Sequence, residues 1–382
     1  MTPAGPADER LTALISELAT KGYLPGPADD WTRALHAVPR HTFVPARAWT
    51  PSGPIDRDAH PDRWWDAVYA DAPITTQTDD GTTDPITGQG VATSSLSALS
   101  GVLFNMGFLD LDDGHRVLEI GTGTGYTAAL TARIVGKAGS VVSVEVDAEL
   151  ASAAEKNLTA ALPADSRTPA LIVGDGADGY AADAPYDRVH ATCSVQTIPP
   201  AWLAQTRPGG RIVTPYGRWF GYGSVAQVDV LPDGTGIGRF PGTSGYMPLR
   251  SQRPVDGHPA DWDAPGARIS RTGVNPRTVA YAPAAADLVI THLAPGVAAR
   301  RADDALWLLD GRDPDCWAIV VLAEHEDLFE VRQHGRRDLW DETVAAYFRW
   351  QALGRPTLDR FGLTVTDAGE RLWLDRPDDV IF

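Results

Sequence analysis

Cysteine and long apolar runs are scarce in this chain of 382 residues. The two cysteines, Cys193 and Cys316, lie far apart, which fits a reduced cytosolic protein better than a disulfide-stabilised scaffold. No apolar run reaches about 18 residues, so we expect no membrane span. The start of the chain has Asp8 and Glu9 in place of an apolar segment, so we expect no signal peptide. These absences together predict a cytoplasmic protein.

Lysine is almost absent, occurring only as Lys21, Lys137 and Lys156. The 33 Lys and Arg residues are outnumbered by 50 Asp and Glu residues, which gives a net charge of -17. This charge argues against nucleic acid and against an anionic membrane as partners, because both are polyanionic. A basic peptide segment is compatible with it. No group of Cys and His residues has metal-ligand spacing, so we expect no metal site.

The most informative segment is Arg116–Tyr126, in which a short apolar strand leads into three glycines spaced two apart. A strand, a glycine turn and an oncoming helix form the cofactor-binding corner of a doubly wound α/β sheet. The dinucleotide pattern Gly-x-Gly-x-x-Gly needs glycine where Tyr126 stands, which disfavours a dehydrogenase. An acid followed by Gly-x-Gly-x-Gly favours S-adenosylmethionine (SAM), which has no pyrophosphate and carries cationic amino and sulfonium groups. The candidate cofactor-binding residues here are Glu119, Gly121, Thr122, Gly123, Gly125 and Tyr126.

Further strands follow, and their ends are acidic or polar. The sequence predicts strands over 140–147, 171–176 and 186–192. An acid at the tip of the second strand of such a sheet accepts hydrogen bonds from a ribose diol, and the third tip is where the adenine is expected. Acids at three successive strand tips therefore support a SAM site. The candidate cofactor-binding residues at these tips are Glu145, Val146, Gly174, Asp175, Gly176 and Thr192.

The rest of the pattern divides the chain into an N-terminal helical and connector segment, 1–80, a core, 81–250, and a C-terminal domain, 251–382. The expected elements of the first two parts are helices over 8–21, 29–37 and 98–109, a connector over 46–66, extended residues over 68–80, a polar loop over 81–95 and later strands over 211–215 and 225–231. Past a Pro- and Gly-rich stretch we expect short strands over 287–293, 305–310, 316–323 and 328–333, an aromatic helix over 338–352 and a hairpin over 361–374.

These elements predict an α/β protein. The core is expected to be a Rossmann-like class I SAM-dependent methyltransferase with a doubly wound sheet. N-terminal helices precede this core, and a small α+β domain follows it. The aromatic stripe of the helix over 338–352 is interpreted as the core of that domain rather than as a ligand site.

Several segments resemble the protein-L-isoaspartate O-methyltransferases, in matching order and spacing over about residues 30–217. They are 38–45, 117–126, 174–176, 184–187, 198–200 and 208–211. The resemblance implies that the serine of a Ser-Gln-Pro segment contacts the substrate carboxylate beside the methyl donor. The Ser-Gln-Pro segment of the family lies about twenty residues before the glycine strand. Counting back from Val117 without a gap places the role of its serine on Ser97, with Ser95 and Ser94 as alternatives. The Gln-Pro pair is missing here, which argues against repair of isoaspartyl groups in proteins generally.

Other features are more similar to one branch of that family, the actinobacterial enzymes of ribosomal-peptide biosynthesis found with lanthipeptides, lasso peptides and graspetides. The resemblance lies in 71–77, 191–195, 205–215 and the C-terminal extension. It implies that the chain methylates an aspartate of a modified precursor peptide. The ester then closes to a succinimide (aspartimide), which persists or hydrolyses to isoaspartate. The C-terminal domain is expected either to recognise the peptide or to act as a stabilising cap or dimer surface.

Three other functions are compatible with parts of the sequence. The first is repair of isoaspartate in damaged proteins, for which activity on a plain isoaspartyl peptide is diagnostic. The second is methylation of a small molecule. The turn that contains Gly121, Gly123 and Gly125, called the glycine corner, would by itself equally allow this function. The third is a SAM-binding scaffold without catalysis, which the missing Gln-Pro pair leaves open and against which the intact glycines and acids argue.

Overall fold

The computed structural model describes residues 6–163, 166–255, 266–325 and 327–381. These residues form two compact units. Unit 1 is made of Met1–Cys193, Pro199–Thr214 and Asp229–Gly234, and unit 2 of Ser194–Ile198, Pro215–Val228 and Thr235–Phe382. The residues before 81 lie in unit 1 together with the glycine corner.

Unit 1 contains seven helices and nine strands within the described residues. The helices are α1 Pro6–Thr20, α2 Ala28–Ala37, α3 Pro61–Val68, α4 Leu99–Gly107, α5 Tyr126–Val135, α6 Ala148–Ala161 and α7 Pro200–Gln205. The strands are β1 Arg47–Thr50, β2 Gly53–Asp56, β3 Ile74–Thr78, β4 Ala92–Leu96, β5 Arg116–Ile120, β6 Ser140–Glu145, β7 Ala170–Val173, β8 Tyr186–Ala191 and β9 Thr206–Tyr216, which ends in unit 2.

A parallel sheet with the order β9-β8-β5-β6-β7 forms the centre of unit 1. Its central strand is an apolar run in which Val117, Leu118 and Ile120 are fully buried, as expected of a parallel strand covered on both faces. The carboxyl ends of parallel strands meet at one edge of the sheet. The glycine corner after β5 and the tips after β6, β7 and β8 therefore lie along the same edge, and the predicted α/β fold class is confirmed.

A second, antiparallel sheet with the order β2-β1-β3-β4 lies in the N-terminal part of unit 1. Its last two strands pair Ile74 with Leu96 and Thr75 with Ser95. The connector predicted over 46–66 thus contains a hairpin and a helix, and the polar stretch 81–95 ends in a strand. This sheet carries the three candidate serines on β4 or immediately after it.

Unit 2 is an α+β unit. Its elements are β10 Ser224–Val230, whose last two residues lie in unit 1, β11 Gly236–Thr243, β12 Arg268–Thr272, α8 Pro276–Ala280, α9 Ala284–Leu293, β13 Val297–Arg301, β14 Ala305–Asp310, β15 Asp313–His325, β16 Leu328–His334, α10 Leu339–Ala352, β17 Phe361–Thr366 and β18 Gly369–Leu374. Five of these strands form an antiparallel sheet ordered β12-β16-β15-β14-β13, and a further group of strands is ordered β18-β17-β11-β10.

One predicted element of this unit is wrong. The residues 287–293, expected as a strand, belong to helix α9. Leu288, Val289 and Ile290 in this run are consecutive and all buried. Such a run lacks the period of an amphipathic helix, so periodicity alone does not separate it from a buried strand.

The aromatic helix α10 agrees with its prediction. Trp340, Tyr347 and Trp350 are buried, and Tyr347 and Trp350 contact each other with ring centroids 5.7 Å apart. The aromatic stripe is therefore part of the core of unit 2.

No helix in the described part of the chain has the length and hydropathy needed to cross a bilayer. Within the same residues, no three His, Cys, Asp or Glu side chains are grouped so that they could hold a metal ion.

Two glycines give opposite expectations for stability. A Cβ added to Gly101, within α4, meets no atom within 4 Å, so Gly101→Ala should raise the free energy of unfolding by about 0.5–1 kcal/mol through helix propensity. The matched control is Gly139→Ala, whose Cβ would lie 2.6 Å from the carbonyl oxygen of Val135 and should lower stability. Urea unfolding followed by circular dichroism measures both, and equal effects would contradict the prediction.

Candidate functional site

The turn between β5 and α5 has a backbone that only glycine adopts easily. Gly121, Gly123 and Gly125 have φ values of 90°, 54° and 88°, in the left-handed region. A Cβ on Gly121 would also lie 2.7 Å from Oγ1 of Thr192. Side chains are therefore disfavoured at these three positions, and Gly121 and Gly123 are only half-buried, so this part of the turn is accessible to a ligand.

Hydrogen bonds fix this turn to the two neighbouring strand ends. The N–H of Gly121 donates to the carbonyl of Val144 at 2.8 Å, and the N–H of Gly123 donates to Oε2 of Glu145 at 2.8 Å. On the other side, the N–H of Thr192 donates to the carbonyl of Ile120 at 2.9 Å. The structure thus brings the predicted residues of β5, β6 and β8 into one site.

A chain of buried polar groups lies directly before the glycine turn. Ser143 donates from Oγ to Oε1 of Glu119 at 2.8 Å, and the hydroxyls of Thr122 and Ser143 are 2.6 Å apart. Glu119 is fully buried, and this burial raises the pKa of its carboxyl to about 8. Its Oε2 has no hydrogen-bond partner among the described residues. A buried carboxyl with an unused oxygen, next to an open glycine turn, fits a ligand with a cationic group such as SAM.

The tips of β6 and β7 are also held by backbone hydrogen bonds. Oε1 of Glu145 accepts from the N–H of Asp147 at 3.1 Å, and its backbone carbonyl accepts from Gly174 at 2.9 Å. Asp175 accepts from Ala177 and so begins a short 3-10 turn. Val146 is 39% exposed at this tip. A carboxylate has about four acceptor positions, so Glu145 keeps acceptor capacity for a ligand hydroxyl.

Two residues that the sequence analysis did not assign to the site hold these tips. Gln77 of β3 donates from Nε2 to Oδ2 of Asp147 at 3.0 Å, which joins the antiparallel sheet to the start of α6. Trp202 of α7 donates from Nε1 to the carbonyl of Gly176 at 2.8 Å. Neither contact has a signal in the sequence, because the partners are 70 and 26 residues apart.

The three candidate serines lie in different surroundings. Ser94 is buried, accepts a hydrogen bond from Oγ1 of Thr76 at 3.2 Å, and places its Oγ 3.6 Å from the Cβ position of Gly123. Ser95 lies on the opposite face of β4, since successive side chains of a strand alternate. Ser97 gives its backbone carbonyl to Arg40 at 2.8 Å. The structure thus places the Ser94 hydroxyl against the glycine turn.

Arg40 is a buried guanidinium that joins the serine segment to the glycine turn. It donates to the carbonyls of Val68 at 3.0 Å and Ser97 at 2.8 Å, and its Cζ lies 5.5 Å from the ring centroid of Tyr126. Tyr126, the first residue of α5, also contacts Phe43 with ring centroids 5.3 Å apart. The segment 38–45, which contains Arg40 and carries part of the family resemblance, therefore also packs against the start of α5.

Two nearby groups with reactive side chains are not ionised at neutral pH. Burial raises the pKa of the Cys193 thiol to about 12, and the thiolate is the nucleophilic form of cysteine. Burial lowers the pKa of His190 to about 4. These two residues therefore supply neither a thiolate nucleophile nor a charged imidazole at neutral pH.

The buried carboxyl of Glu119 should make stability depend on pH. Its pKa is raised from 4.5 to about 8, so between these values the unfolded chain releases a proton that the folded chain keeps. The ligand-free protein should therefore lose stability as the pH rises from about 5.5 to 8, by up to about 1.4 kcal/mol per pH unit from this group. Thermal unfolding of wild type and of Glu119→Gln over this range measures the loss, which should be smaller in the variant. Parallel pH curves for the two proteins would contradict it.

Comparisons with known proteins agree with this geometry. The family described as Protein-L-isoaspartate(D-aspartate) O-methyltransferase (PCMT) matches residues 53–253. Protein-L-isoaspartate O-methyltransferase 1 of Archaeoglobus fulgidus is 42% identical over 185 residues, which are 48% of this chain and 70% of that protein. The Methanococcus aeolicus protein named Protein-L-isoaspartate O-methyltransferase is 34% identical over 211 residues, 55% of this chain and 82% of that protein.

A solved structure titled protein-L-isoaspartate O-methyltransferase has a similar fold over nearly the whole chain. It covers 96% of this chain and 100% of its own, with a TM-score of 0.55 and 21% identity. Because this likeness extends beyond 253, an extension after the core also occurs in a protein of that title. The predicted methyltransferase class and the predicted cofactor, SAM, are confirmed by the family. The chain belongs to the protein-L-isoaspartate(D-aspartate) O-methyltransferase family.

Proposed function

We propose that this chain transfers a methyl group from SAM to the free carboxylate of isoaspartyl residues in proteins, the first step of isoaspartate repair. The family match over 53–253 and the names of the relatives support this substrate class. The observation that carries the proposal is the buried Ser94 hydroxyl beside the Gly123 turn, because it puts a carboxylate-binding group where the methyl donor is expected.

The chemistry needs little acid–base assistance. A carboxylate with an ordinary pKa of about 3.9 is already an anion at neutral pH. SAM supplies a methyl group on a positively charged sulfur. The work left to the protein is to strip water from the carboxylate and aim one oxygen along the line of transfer, which is a positioning problem. The neutral states of Cys193 and His190 agree with this requirement.

Different residues of the site are assigned to the cofactor and to the acceptor carboxylate. The glycine turn and Glu119 are assigned to the methionine part of the cofactor, and Glu145 to its ribose. Ser94 is assigned to the acceptor carboxylate. The Thr76 hydroxyl donates to the Ser94 oxygen, so the hydrogen of Ser94 itself is left to donate to a carboxylate oxygen.

The product explains the repair reaction. A methyl ester has a better leaving group than a free carboxylate, so the following backbone nitrogen attacks it and expels methanol. A five-membered succinimide forms, and water opens it to aspartate or isoaspartate. The ring closure is intramolecular, and we assign no residue of this chain to it.

A second candidate substrate is the aspartate of a modified, ribosomally made precursor peptide. The observation that favours it is the sequence Ser94–Ser97, in which the family's Gln-Pro pair after the serine is missing. A different residue pair at this point is consistent with a different acceptor. The C-terminal unit does not separate the two substrates, since the solved structure that matches nearly the whole chain bears the repair enzyme's name.

A direct substrate comparison tests the proposal. The protein and SAM are incubated with an isoaspartyl hexapeptide, with its aspartyl counterpart and with a modified precursor peptide encoded near this gene. Mass spectrometry should find one added methyl group on the isoaspartyl peptide and none on its aspartyl control. Methylation of the precursor peptide alone, followed by loss of methanol, would instead establish peptide tailoring.

The role of Ser94 can be separated from those of its neighbours. Ser94→Ala should lower kcat on the accepted substrate about tenfold, because a buried carboxylate oxygen loses its donor. Binding of SAM, measured by calorimetry, should change little. Ser95→Ala and Ser97→Ala are the matched controls and should keep kcat near wild type. A large loss in Ser97→Ala with a normal Ser94→Ala would transfer the role to Ser97.

A further inference from the structure

The pairing of β3 with β4 shifts its register on both sides of Gln77. Thr76 is an extra residue on β3, and Thr93 is an extra residue on β4. Such bulges turn side chains in new directions and are common next to active sites. Here the Thr76 hydroxyl donates to Oγ of Ser94 at 3.2 Å, and the Thr93 hydroxyl donates to Oε1 of Gln77 at 2.9 Å. Each bulged residue therefore makes a hydrogen bond across the two strands.

The orientation of the Gln77 amide follows from the chemistry of its neighbours. Its Nε2 lies 3.0 Å from Oδ2 of Asp147, and a carboxylate only accepts, so the NH2 group belongs on this side. On the other side, Oγ1 of Thr93 accepts from the N–H of Asp80 at 3.1 Å, which leaves the hydroxyl hydrogen to donate to Gln77. The Gln77 side chain is buried, so a buried amide has a partner at each end.

The hydrogen bonds continue from Asp147 to the tip of β6 and the glycine turn. The N–H of Asp147 donates to Oε1 of Glu145 at 3.1 Å, and Oε2 of Glu145 accepts from the N–H of Gly123 at 2.8 Å. Oδ1 of Asp147 also accepts from two backbone N–H groups in the first turn of α6. All these residues belong to unit 1. Gln77 thus connects the strand that carries Ser94 with the acid assigned to the ribose.

The identity of the side chain at position 77 matters for this connection. Glutamine donates to a carboxylate at one end and accepts from a hydroxyl at the other. A glutamate of the same shape would accept at both ends and would place a third carboxylate beside Asp147 and Glu145. Each N–H that faces a carboxylate stabilises its charged form, and a second negative charge destabilises it. The amide of Gln77 therefore stabilises the tip of β6 in the position that the structure shows.

We propose that Gln77 is a positioning residue for methyl transfer. Its amide fixes the tip of β6, and with it Glu145, relative to β4 and the Ser94 hydroxyl. Without this bond, SAM should bind more weakly through Glu145, and turnover should fall because the acceptor strand is no longer joined to the cofactor tip. The turnover part rests on the proposed function, whereas the binding part needs only SAM, the cofactor that the family confirms.

The first test is cofactor binding by Gln77→Glu, which keeps the shape of the side chain and removes its donor. Calorimetry should find a Kd for SAM about tenfold higher than in wild type, because the new carboxylate faces Asp147. S-adenosylhomocysteine has the same ribose and an uncharged sulfur, and it should lose affinity by the same factor. Gln89→Glu, at an exposed glutamine between β3 and β4, is the matched charge control and should bind SAM as wild type does.

A reciprocal exchange separates the proposed bond from a general effect of either substitution. Asp147→Asn keeps an oxygen for the start of α6 but turns an NH2 group toward that of Gln77, so SAM affinity should fall here as well. The double variant Gln77→Glu with Asp147→Asn again pairs one donor with one acceptor. Its Kd for SAM should return to within about threefold of the wild-type value. A loss equal to the two single losses combined would overturn the proposal.

The acceptor side is measured with the isoaspartyl peptide at saturating SAM. Under these conditions kcat should fall in Gln77→Glu by about tenfold and recover in the double variant. Unfolding midpoints of all variants are recorded alongside. A lowered midpoint of Gln77→Glu with an unchanged Kd for SAM would show that Gln77 serves the fold alone, and would overturn the proposal. If the wild type methylates no isoaspartyl peptide, the proposed function fails, and the calorimetric comparison still decides the role of Gln77.

Discussion

The conformation of one turn is the constraint on which the site depends. Between β5 and α5 the backbone takes positive φ at Gly121, Gly123 and Gly125, and the space beside Gly121 is filled by Thr192. The turn lies at the edge where the parallel strands end, and Gly121 and Gly123 are half-buried there. The acids of β5 and β6 are arranged around it, one directly before the turn and one bonded to its middle N–H.

Buried ionisable groups occur in both units, and several have pKa values shifted toward the uncharged form. Glu119 in unit 1 and Glu370 in unit 2 both have raised pKa values because they are buried, and His190 and His292 have lowered ones. Arg40 stays among backbone carbonyls and an aromatic ring. A reaction whose acceptor is already an anion does not need these groups as acids or bases. Glu119 and Arg40 instead make hydrogen bonds that fix segments next to the glycine turn.

Much of the fold follows from local patterns. The apolar runs of β5, β6 and β8 and the amphipathic spacing of α1 and α2 are local, and the strand tips of a parallel sheet meet at one edge, so the cofactor corner could be predicted. The run at 287–293 could not, because a short stretch of buried apolar residues is compatible with a helix as well as with a strand. Counting along the chain does not show which of Ser94, Ser95 and Ser97 lies against Gly123, because this depends on the face of β4 on which each side chain lies.

The sequence by itself determined the glycine turn, the family and most helices and strands, because these depend on residues close together in the chain. Only the tertiary structure decided which serine lies against Gly123, what Arg40 contacts and which groups surround Gln77. Gln77 and Asp147 are separated by 70 residues in sequence. Contacts between residues so far apart in the sequence exist only because the folded chain brings them together.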